Sequence, residues 1–492
     1  MTVLIVHDNP KRFPFDVPSV EVVAARDYLT QPWFSTLRGA KVFNLCRSYK
    51  YQTVGYYVSL LAAARGHRPL PSIATIQDLR LQPVIRVASQ DLDKLMQQAL
   101  RPLKSNVFEL SVYFGRNLAT RYDRLSLALF NQFPAPFFRA VFKHNEDRWE
   151  LDSVRVISAN EVPEDHRDFV LEQAKRYFAR PLRRQARKPS RYDLAILRND
   201  EEELPPSDDK AIDRFTEAAE GLGFRVETIG RDAYGRLSEF DALFIRETTS
   251  VNHHTFRFAR RATAEGLVVI DDPDSILKCT NKVYVTELLE RHRLRTPKTV
   301  IISKDTAAKV EDQIGFPCVV KRPDGSFSSG VVKFESREEF ENGIAPLFEE
   351  SELVIAQEFV PTNFDWRVGV INGEPLYACR YYMARKHWQI VKRDGSDIEE
   401  GTVDTLAIED APPEVVSIGV RAAKLIGAGL YGVDIKEVHG KPAVIEINDN
   451  PSIDAGFEDR VLGRDLYRRI MREFADRLEA RRNGGGETTP NA

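Results

Sequence analysis

The sequence predicts an α/β protein of three domains followed by a short tail, and three observations support this prediction. Residues 192–277 alternate strand-like and helix-like segments, which is typical of a parallel sheet with crossover helices. Residues 278–480 carry a longer series of short strands that ends in an apolar hairpin over 430–451. The length of 492 residues, with 42% hydrophobic and 29% charged residues, suits about three globular domains.

Composition narrows the class of protein. The formal net charge of −3 gives no electrostatic reason to expect nucleic-acid or membrane binding. The four cysteines form no CxxC pair, which argues against a disulfide framework or a zinc site. The opening run Met-Thr-Val-Leu-Ile-Val-His is too brief for a signal-peptide core, and the longest apolar stretch, near 54–64, is too short for a membrane span. We therefore expect a cytoplasmic protein.

Residues 1–185 are expected to form a mixed α/β domain in which no catalytic motif is visible. Arg47, Lys50 and Arg65 lie near its first long helix, where they could hold an anion or simply be solvated surface charges. A basic, proline-flanked run over 181–191 is most simply a linker. The predicted strands cover 3–6, 40–44, 107–113, 138–143 and 153–158, and the predicted helices cover 53–65, 90–101 and 118–131.

The second domain, over 192–277, has four predicted strands and two predicted helices. The segment Arg246-Glu-Thr-Thr follows the third strand, and open α/β sheets bind ligands at such strand ends. A plain surface loop is an equal alternative at this point. The predicted strands cover 192–197, 224–229, 242–246 and 267–270, and the predicted helices cover 209–222 and 254–265.

The third domain, over 278–480, opens with a helix over 280–293 and continues with strands to the hairpin. The last residues, 481–492, are rich in glycine and polar residues and are expected to be a disordered tail. The sequence shows no internal repeat. Strands are predicted at 299–302, 319–322, 331–334, 353–359, 367–371 and 376–382, and a helix is predicted at 414–426.

The hairpin over 430–451 gathers two acids and an amide. If it is centred on Gly440, Asp434 lies directly across from Glu446, and Asn448 shares the face of Glu446. Such an all-oxygen set suits magnesium, which also accepts substrate phosphates as ligands. The alternative is an exposed hairpin with incidental acids, but the apolar residues of the second strand make that strand look buried.

A serine- and glycine-rich loop over 323–330 joins two strands directly after Lys321. Small residues let the main chain approach phosphate oxygens closely, and the lysine can reach the same oxygens. A plain β-turn is the alternative for this loop. The chain has no GxxxxGK[ST] loop and no GxGxxG fingerprint. The candidate phosphate-binding residues are Lys321, Gly325, Ser326, Ser328, Ser329 and Gly330.

The strand that ends in Gln357-Glu358-Phe359-Val360 could pair its backbone with an adenine edge, and Asp365 could hold ribose hydroxyls. Arg367 and Arg380 lie on the next two predicted strands, where a guanidinium could neutralise a transferring phosphoryl group. A further basic cluster follows, and it could also neutralise a transferring phosphoryl group; its residues are Arg385, Lys386 and His387. The alternative is that they pair with surface acids.

Five features follow one another along the chain: a lysine on a helix, a lysine on a strand, the Ser/Gly loop, the Gln-Glu-Phe-Val segment and the Asp…Glu-x-Asn hairpin. In this order they resemble the ATP-grasp ligases, and among these the RimK-like proteins. The resemblance covers about 190–478 and implies a pre-ATP-grasp α/β domain followed by an ATP-grasp fold with two α+β lobes. The stretch from Cys46 to Gly66 resembles the extra N-terminal domain that is fused to some RimK-like ligases.

The resemblance also implies a role for individual residues. Lys282 and Lys321 would contact the ATP phosphates. Glu358 and the main chain of Val360 would meet adenine, with Gln357 and Phe359 beside them, and Asp365 would meet the ribose. Arg380, with Arg367 as second choice, would stabilise the acyl-phosphate transition state. Magnesium, as one or two ions and replaceable by manganese, would be held by Asp434, Glu446 and Asn448.

The expected activity is that of an ADP-forming carboxylate–amine ligase acting on an amino acid or a peptide. The segment Ala384-Arg-Lys-His-Trp-Gln-Ile-Val departs from the Arg-x-Asn and paired glycines of RimK-like enzymes, so the acceptor is left open. Two alternatives remain: a phosphotransferase that acts on a small molecule, and a nucleotide-binding module without turnover. The sequence also leaves open whether the chain forms a homo-oligomer.

Overall fold

A computed structural model of the chain describes residues 2–15, 17, 20–37, 40–145, 148–179, 190–325, 330–384, 391–394 and 397–482. The chain divides into two compact units. The first contains residues 1–191 together with the segment Asp232–Phe240, and the second contains Tyr192–Arg231 and residues 241–492. Among the described helices, none is long and apolar enough to cross a membrane.

The first unit begins with a four-stranded parallel sheet in the order β2-β1-β3-β4. Its strands are buried on both faces: Leu4 and Val6 pack in one core, whereas Ile5 and Phe43 pack in another. This is the expected environment of a parallel sheet that is covered by helices. The elements are β1 Val3–His7, β2 Glu21–Ala24, α1 Ala25–Thr30, α2 Pro32–Thr36, β3 Lys41–Asn44, α3 Val54–Ala64, β4 Arg68–Leu70 and α4 Ile73–Asp78.

An antiparallel three-stranded sheet in the order β5-β6-β7 completes the first unit. The long helix α5 packs on β7, where the Gln97 side chain donates to the Trp149 carbonyl at 2.8 Å. The elements are α5 Gln82–Leu100, β5 Val107–Tyr113, α6 Asp123–Gln132, β6 Phe137–Asn145, β7 Arg148–Val156 and α7 Arg167–Ala179.

The second unit also begins with a four-stranded parallel sheet, in the order β9-β8-β10-β11. This is the topology of the first sheet, and in both sheets an eleven-residue helix joins the third strand to the fourth. The chain therefore contains a structural repeat that its sequence does not reveal. The elements are β8 Tyr192–Leu197, α8 Asp209–Gly221, β9 Phe224–Ile229, β10 Ala242–Ile245, α9 His254–Ala264, β11 Val268–Ile270 and α10 Pro273–Cys279.

A small lobe follows, with an antiparallel sheet in the order β12-β15-β13-β14. Its core contains Val320, Phe334 and Ala356. The elements are α11 Lys282–Arg291, β12 Thr299–Ile302, α12 Val310–Gln313, β13 Cys318–Lys321, β14 Val331–Phe334, α13 Arg337–Gly343, α14 Ala345–Glu350 and β15 Val354–Glu358.

A large lobe carries a five-stranded antiparallel sheet in the order β20-β17-β16-β21-β22. One face packs on α15 through residues such as Val368 and Val433. Strands β18 and β19 pair with each other as a separate two-stranded antiparallel sheet. The elements are β16 Phe364–Ile371, β17 Glu374–Tyr382, β18 Val391–Asp394, β19 Asp397–Glu400, β20 Val403–Leu406, α15 Pro413–Ile426, β21 Leu430–Val438, β22 Lys441–Asp449 and α16 Arg464–Arg482.

The observed elements refine the predicted domain bounds. The segment Asp232–Phe240 belongs with the first unit, although the sequence division places it in the second domain. The parallel sheet of the second unit shares one hydrophobic core with the large lobe through α16, so the boundary between 277 and 278 stays a prediction. Helix α16 extends to Arg482, and the rest of the predicted tail lies outside the described residues.

Candidate active site

The hairpin of β21 and β22 carries the predicted metal ligands. It turns through His439 and Gly440, whose φ angles are 51° and 70°. Two-residue hairpin loops favour such left-handed residues because their twist matches that of the flanking strands. The hairpin is therefore tight, as the sequence predicts, and its second strand is largely buried.

A β-bulge in this hairpin decides which side chains meet. The two-residue turn alone sets a register that would place Asp434 opposite Ile445. The register shifts by one residue within the ladder, so Asp434 pairs with Glu446 and Ile445 is the extra residue. The predicted pairing of the two acids is confirmed, but its stated basis, a hairpin centred on Gly440, is wrong.

Asp434 is held by Arg367 and Asn448. Arg367, opposite it on β16, donates from Nε and Nη2 to the two carboxylate oxygens at 2.7 and 2.9 Å. The side-chain amide of Asn448 donates to Asp434 Oδ2 at 3.0 Å. Burial raises the pKa of the Asp434 carboxyl, and the guanidinium of Arg367 acts in the opposite direction.

Glu446 is paired with Lys282, whose Nζ lies 2.9 Å from Glu446 Oε1. Lys282 is the first residue of α11, and Asn281 caps this helix by accepting hydrogen bonds from two backbone N–H groups. Burial acts to raise the pKa of Glu446, but Lys282 and Lys321 outweigh it and hold the pKa below its ordinary value. Lys282 also donates to the Gly325 carbonyl at 2.7 Å, which brings the predicted phosphate loop to the same place.

Lys321 reaches the cleft from the end of β13. Its Nζ donates to Gln357 Oε1 at 2.9 Å, and the Gln357 amide in turn donates to Thr299 at 2.9 Å. Burial lowers the pKa of Lys321 to about 8, and the neighbouring Lys282 acts in the same direction. A bound anion would stabilise the ammonium form of Lys321.

The strand end at Glu358 and the nearby Asp365 line the same cleft. The Glu358 carboxylate accepts from the Lys298 backbone N–H at 2.7 Å, which fixes the end of β15 against β12. Asp365 accepts from Lys436 Nζ at 2.6 Å. Lys436 is a cleft residue that the sequence analysis missed, because only the pairing of β16 with β21 brings it near Asp365.

These side chains surround a cleft of about 920 Å³ in the second unit, which is large enough for a nucleotide and a second substrate. Its lining includes every predicted site residue that the structure describes except Arg380 and Gly330. The lining site residues are Lys282, Lys321, Gly325, Gln357, Glu358, Phe359, Val360, Asp365, Arg367, Asp434, Glu446 and Asn448.

Two family models match the chain. The RimK-like ATPgrasp N-terminal domain matches residues 25–173, and the RimK-like ATP-grasp domain matches residues 279–473. Together they cover more than half of the chain. The chain belongs to the RimK-like ATP-grasp ligases. The resemblances inferred from both the hairpin and the N-terminal stretch are therefore confirmed.

Relatives and solved structures carry related names. A "Probable alpha-L-glutamate ligase" of Aeromonas salmonicida is 25% identical over 255 residues, covering 51% of this chain and 82% of the relative. The "Alpha-aminoadipate--LysW ligase LysX" of Sulfolobus acidocaldarius is 30% identical over 177 residues, covering 34% of this chain and 60% of the relative. A "RimK domain protein ATP-grasp" from Sphaerobacter thermophilus is 15% identical with a TM-score of 0.44, covering 57% of this chain and 98% of that structure.

Arg380 does not line the cleft of this RimK-like ligase, so its predicted position is wrong. It lies opposite Trp366 in the β16–β17 ladder, whereas Arg367 lies opposite Cys379. Because side chains alternate along a strand, Arg380 and Arg367 point to opposite faces of the sheet. The guanidinium of Arg380 stacks over the rings of Trp366 and Phe364, at 4.8 and 5.2 Å from their centroids.

Some predicted residues lie outside the described residues. They are Ser326, Ser328 and Ser329 of the phosphate loop, and Arg385, Lys386 and His387 of the basic cluster. Gly330, which closes the loop, has a φ of 71°, and its carbonyl accepts from the Arg322 backbone N–H at 3.0 Å. A glycine suits this position because it adopts left-handed backbone without steric cost.

The segment Arg246-Glu-Thr-Thr contacts the end of the β21–β22 hairpin. Arg246 is fully buried and donates to the side chain of Asn450 at 2.7 Å. Thr249 donates to Asp449 Oδ2 at 2.7 Å, and Thr248 and Thr249 line the cleft. Of the two alternatives for this segment, these contacts favour a ligand-binding strand end over a plain surface loop.

The donor set of the hairpin fits a hard divalent cation. Asp434, Glu446 and Asn448 offer carboxylate and amide oxygens from one face, and both carboxylates are largely buried. Two acids opposite each other repel unless cations neutralise them, and here Arg367 and Lys282 do so. Oxygen donors beside a phosphate-sized cationic cleft suit magnesium better than softer metals.

Proposed function

We propose that this ligase activates the carboxylate of an amino acid or peptide with ATP as an acyl phosphate, which an amine then attacks to form an amide. ADP and inorganic phosphate are released. The observation that carries the proposal is the convergence of Lys282, Lys321 and Arg367 on the acids of the hairpin within one cleft. Phosphoryl transfer needs positioning and charge neutralisation rather than an enzyme nucleophile.

ATP is proposed to lie between the small and large lobes. Lys282 and Lys321 would bind phosphate oxygens, with the loop over 323–330 beside them. The end of β15, from Gln357 to Val360, would meet the adenine edge. Asp365 would meet the ribose, where Lys436 holds its carboxylate in place at 2.6 Å.

Asp434, Glu446 and Asn448 would hold magnesium, with manganese as a substitute. When bound, the ion would neutralise charge on the phosphate oxygens. Arg367 is the residue we assign to the transferring phosphoryl group in place of Arg380. Its two bonds to Asp434 use Nε and Nη2, so the remaining nitrogen can meet a substrate oxygen.

The acceptor is proposed to bind at the end of the cleft that is lined by acids. Burial raises the pKa of Asp454 to about 7, and the neighbouring Glu458 adds to this effect. A concentration of carboxylates favours a positively charged amine over an anion. The names of the two relatives cited above, for glutamate and alpha-aminoadipate, support an acidic amino acid as one substrate. The acids that line this end are Asp208, Asp449, Asp454 and Glu458.

The proposal is tested by screening pairs of amino acids and short peptides for ADP release, with products identified by mass. The correct pair should give ADP together with a product whose mass equals the sum of the two substrates minus water. Hydroxylamine in place of the amine should give a hydroxamate of the carboxylate substrate. ADP formation with a phosphorylated acceptor, and without amide or hydroxamate, would instead indicate a phosphotransferase.

A further inference from the structure

A cluster of Glu247, His253 and His254 lies beside the cleft and has no role in the proposed ligation. Glu247 follows β10, and the two histidines lie at the N-terminus of α9. Glu247 Oε1 lies 2.8 Å from His254 Nε2 and 3.9 Å from His253 Nε2. One ligand atom from each residue lies within 4.8 Å of the other two.

Glu247 is buried, with 2% of its surface exposed. Its Oε1 atom pairs with His254 Nε2 at 2.8 Å, whereas among the described residues its Oε2 atom makes no hydrogen bond. Buried polar atoms are nearly always satisfied, so a buried carboxylate oxygen without a partner, beside two imidazoles, points to a missing ligand.

The distances fit a metal ion. Donor atoms around a tetrahedral zinc ion, with bonds of about 2.0–2.1 Å, lie roughly 3.3 Å apart. The two observed separations of 2.8 and 3.9 Å lie on either side of that value. All three ligand atoms lie within 4.8 Å of one another, which is close enough for one ion to be shared after the side chains adjust.

The surroundings hold the ligands in place. His253 Nδ1 lies 3.2 Å from the Thr255 hydroxyl, so the ring nitrogen on the far side of the cluster has a partner. The Glu247 carbonyl accepts from the Asn450 side chain at 2.7 Å.

We propose that Glu247, His253 and His254 form a site for a zinc-class divalent cation. Two imidazoles and one carboxylate suit zinc or cobalt, in contrast to the all-oxygen set of the hairpin. The side chain of His253 is 42% exposed, which leaves a path for a fourth ligand from solvent. This inference is independent of the proposed ligation.

The ion would fix the loop that joins β10 to α9. Three of the five residues between Glu247 and His253, Thr248 to Ser250, line the cleft, and Thr249 donates to Asp449 of the hairpin. Metal at this site would therefore hold this side of the cleft against the residues that follow Asn448. Its loss should loosen this loop without removing any phosphate-binding group.

The test is equilibrium binding of zinc to the chelator-treated full chain without nucleotide, with cobalt as a spectroscopic probe. We expect one tight equivalent of zinc, and a cobalt spectrum of low-coordinate nitrogen and oxygen ligation. E247Q and H253A should each weaken zinc binding at least tenfold. Two controls should bind zinc like the unaltered chain: H292A, at an exposed helix end, and N448A, in the magnesium hairpin.

Thermal unfolding provides a second measurement that does not depend on activity. Zinc should raise the Tm of the unaltered chain and of both controls, but not of E247Q or H253A. The proposal is overturned if the unaltered chain binds no zinc, or if E247Q and H253A bind it equally well. Because His253 is partly exposed, H253A keeps the test valid even if E247Q fails to fold.

Discussion

Asp434 lies directly opposite Glu446 across the β21–β22 ladder, yet each carboxylate is neutralised by a different cation. Arg367 binds Asp434 through two hydrogen bonds, and Lys282 lies 2.9 Å from Glu446. The two cations come from different elements, β16 and α11, so the pair of acids joins the large lobe to the start of the small lobe.

Removing a hairpin ligand should abolish turnover and leave the fold intact. We expect N448A and E446A to lose ADP release at saturating magnesium, because both side chains face the phosphate side of the cleft. Both variants should still unfold cooperatively, with a lower Tm for E446A because that change leaves Lys282 without its carboxylate partner. K441A, at the exposed turn of the same hairpin, is the matched control and should keep full activity. Near-normal turnover in either ligand variant would remove the hairpin from the mechanism.

The two arginines on neighbouring strands should behave differently. R367K keeps the charge but loses the two-point contact with Asp434, so we expect the rate to fall by about 10²–10³. R380K alters a side chain that stacks on aromatic rings on the opposite face, and its rate should stay within a few-fold of normal. Steady-state ADP release measures both. Equal losses in the two variants would contradict the assignment of the cleft arginine.

ATP affinity should depend on pH through Lys321. Burial lowers the pKa of Lys321 to about 8 in the free protein, and bound phosphate should raise it by favouring the charged form. ATP affinity should therefore be constant well below pH 8. Above pH 8 it should weaken, by at most tenfold per pH unit, because binding must then take up a proton. Calorimetry in buffers of different ionisation enthalpy should detect this uptake.

Two variants test this explanation. Lys321→Arg keeps its charge at every pH of interest, so its ATP affinity should lose the dependence above pH 8. Lys321→Ala should bind ATP more weakly at neutral pH, by about 1.5–3 kcal/mol for a lost charge-assisted contact. An unchanged pH profile in Lys321→Arg would show that another group titrates.

Much of the site could be predicted because its residues lie close together in sequence. Asp434, Glu446 and Asn448 belong to one hairpin, and alternation along a strand is enough to place two of them on one face. The bulge at Ile445 could not be predicted. It shifts the register of a two-residue turn by one residue, and this shift brings Asp434 opposite Glu446. The predicted pair of acids was therefore correct, although the predicted centre of the turn was not.

A register shift also bears on the position of Arg380. Here the shift places Arg380 on the face opposite to Arg367, so the predicted position is wrong. A shift of one residue in register moves a side chain to the other face of a sheet. The β16–β17 ladder contains an irregularity between Gly369 and Val370, and no sequence pattern marked it. Glu247, His253 and His254 were missed for another reason: cysteine spacing says nothing about histidine and glutamate ligands that a loop brings together.

The first unit should not be needed for ATP binding. All described residues that we assign to ATP lie in the second unit, so a chain that begins near Arg191 should bind ATP with affinity within about threefold of the full chain. The segment Asp232–Phe240 complicates this experiment because it belongs to the first unit. There, the Gly235 backbone N–H donates to Asn131 at 2.8 Å, and Tyr177 donates to Glu239 at 2.7 Å.

Simple truncation would leave this segment without those partners. Leu237 and Phe240 are at most 4% exposed in the full chain, and truncation should uncover apolar surface that lowers solubility. A second shortened chain, with Asp232–Phe240 replaced by a Gly/Ser linker, should therefore be more soluble than the first. Both should bind ATP in calorimetry if they fold. A linker-containing chain that unfolds cooperatively but binds no ATP would show that the nucleotide site needs the first unit.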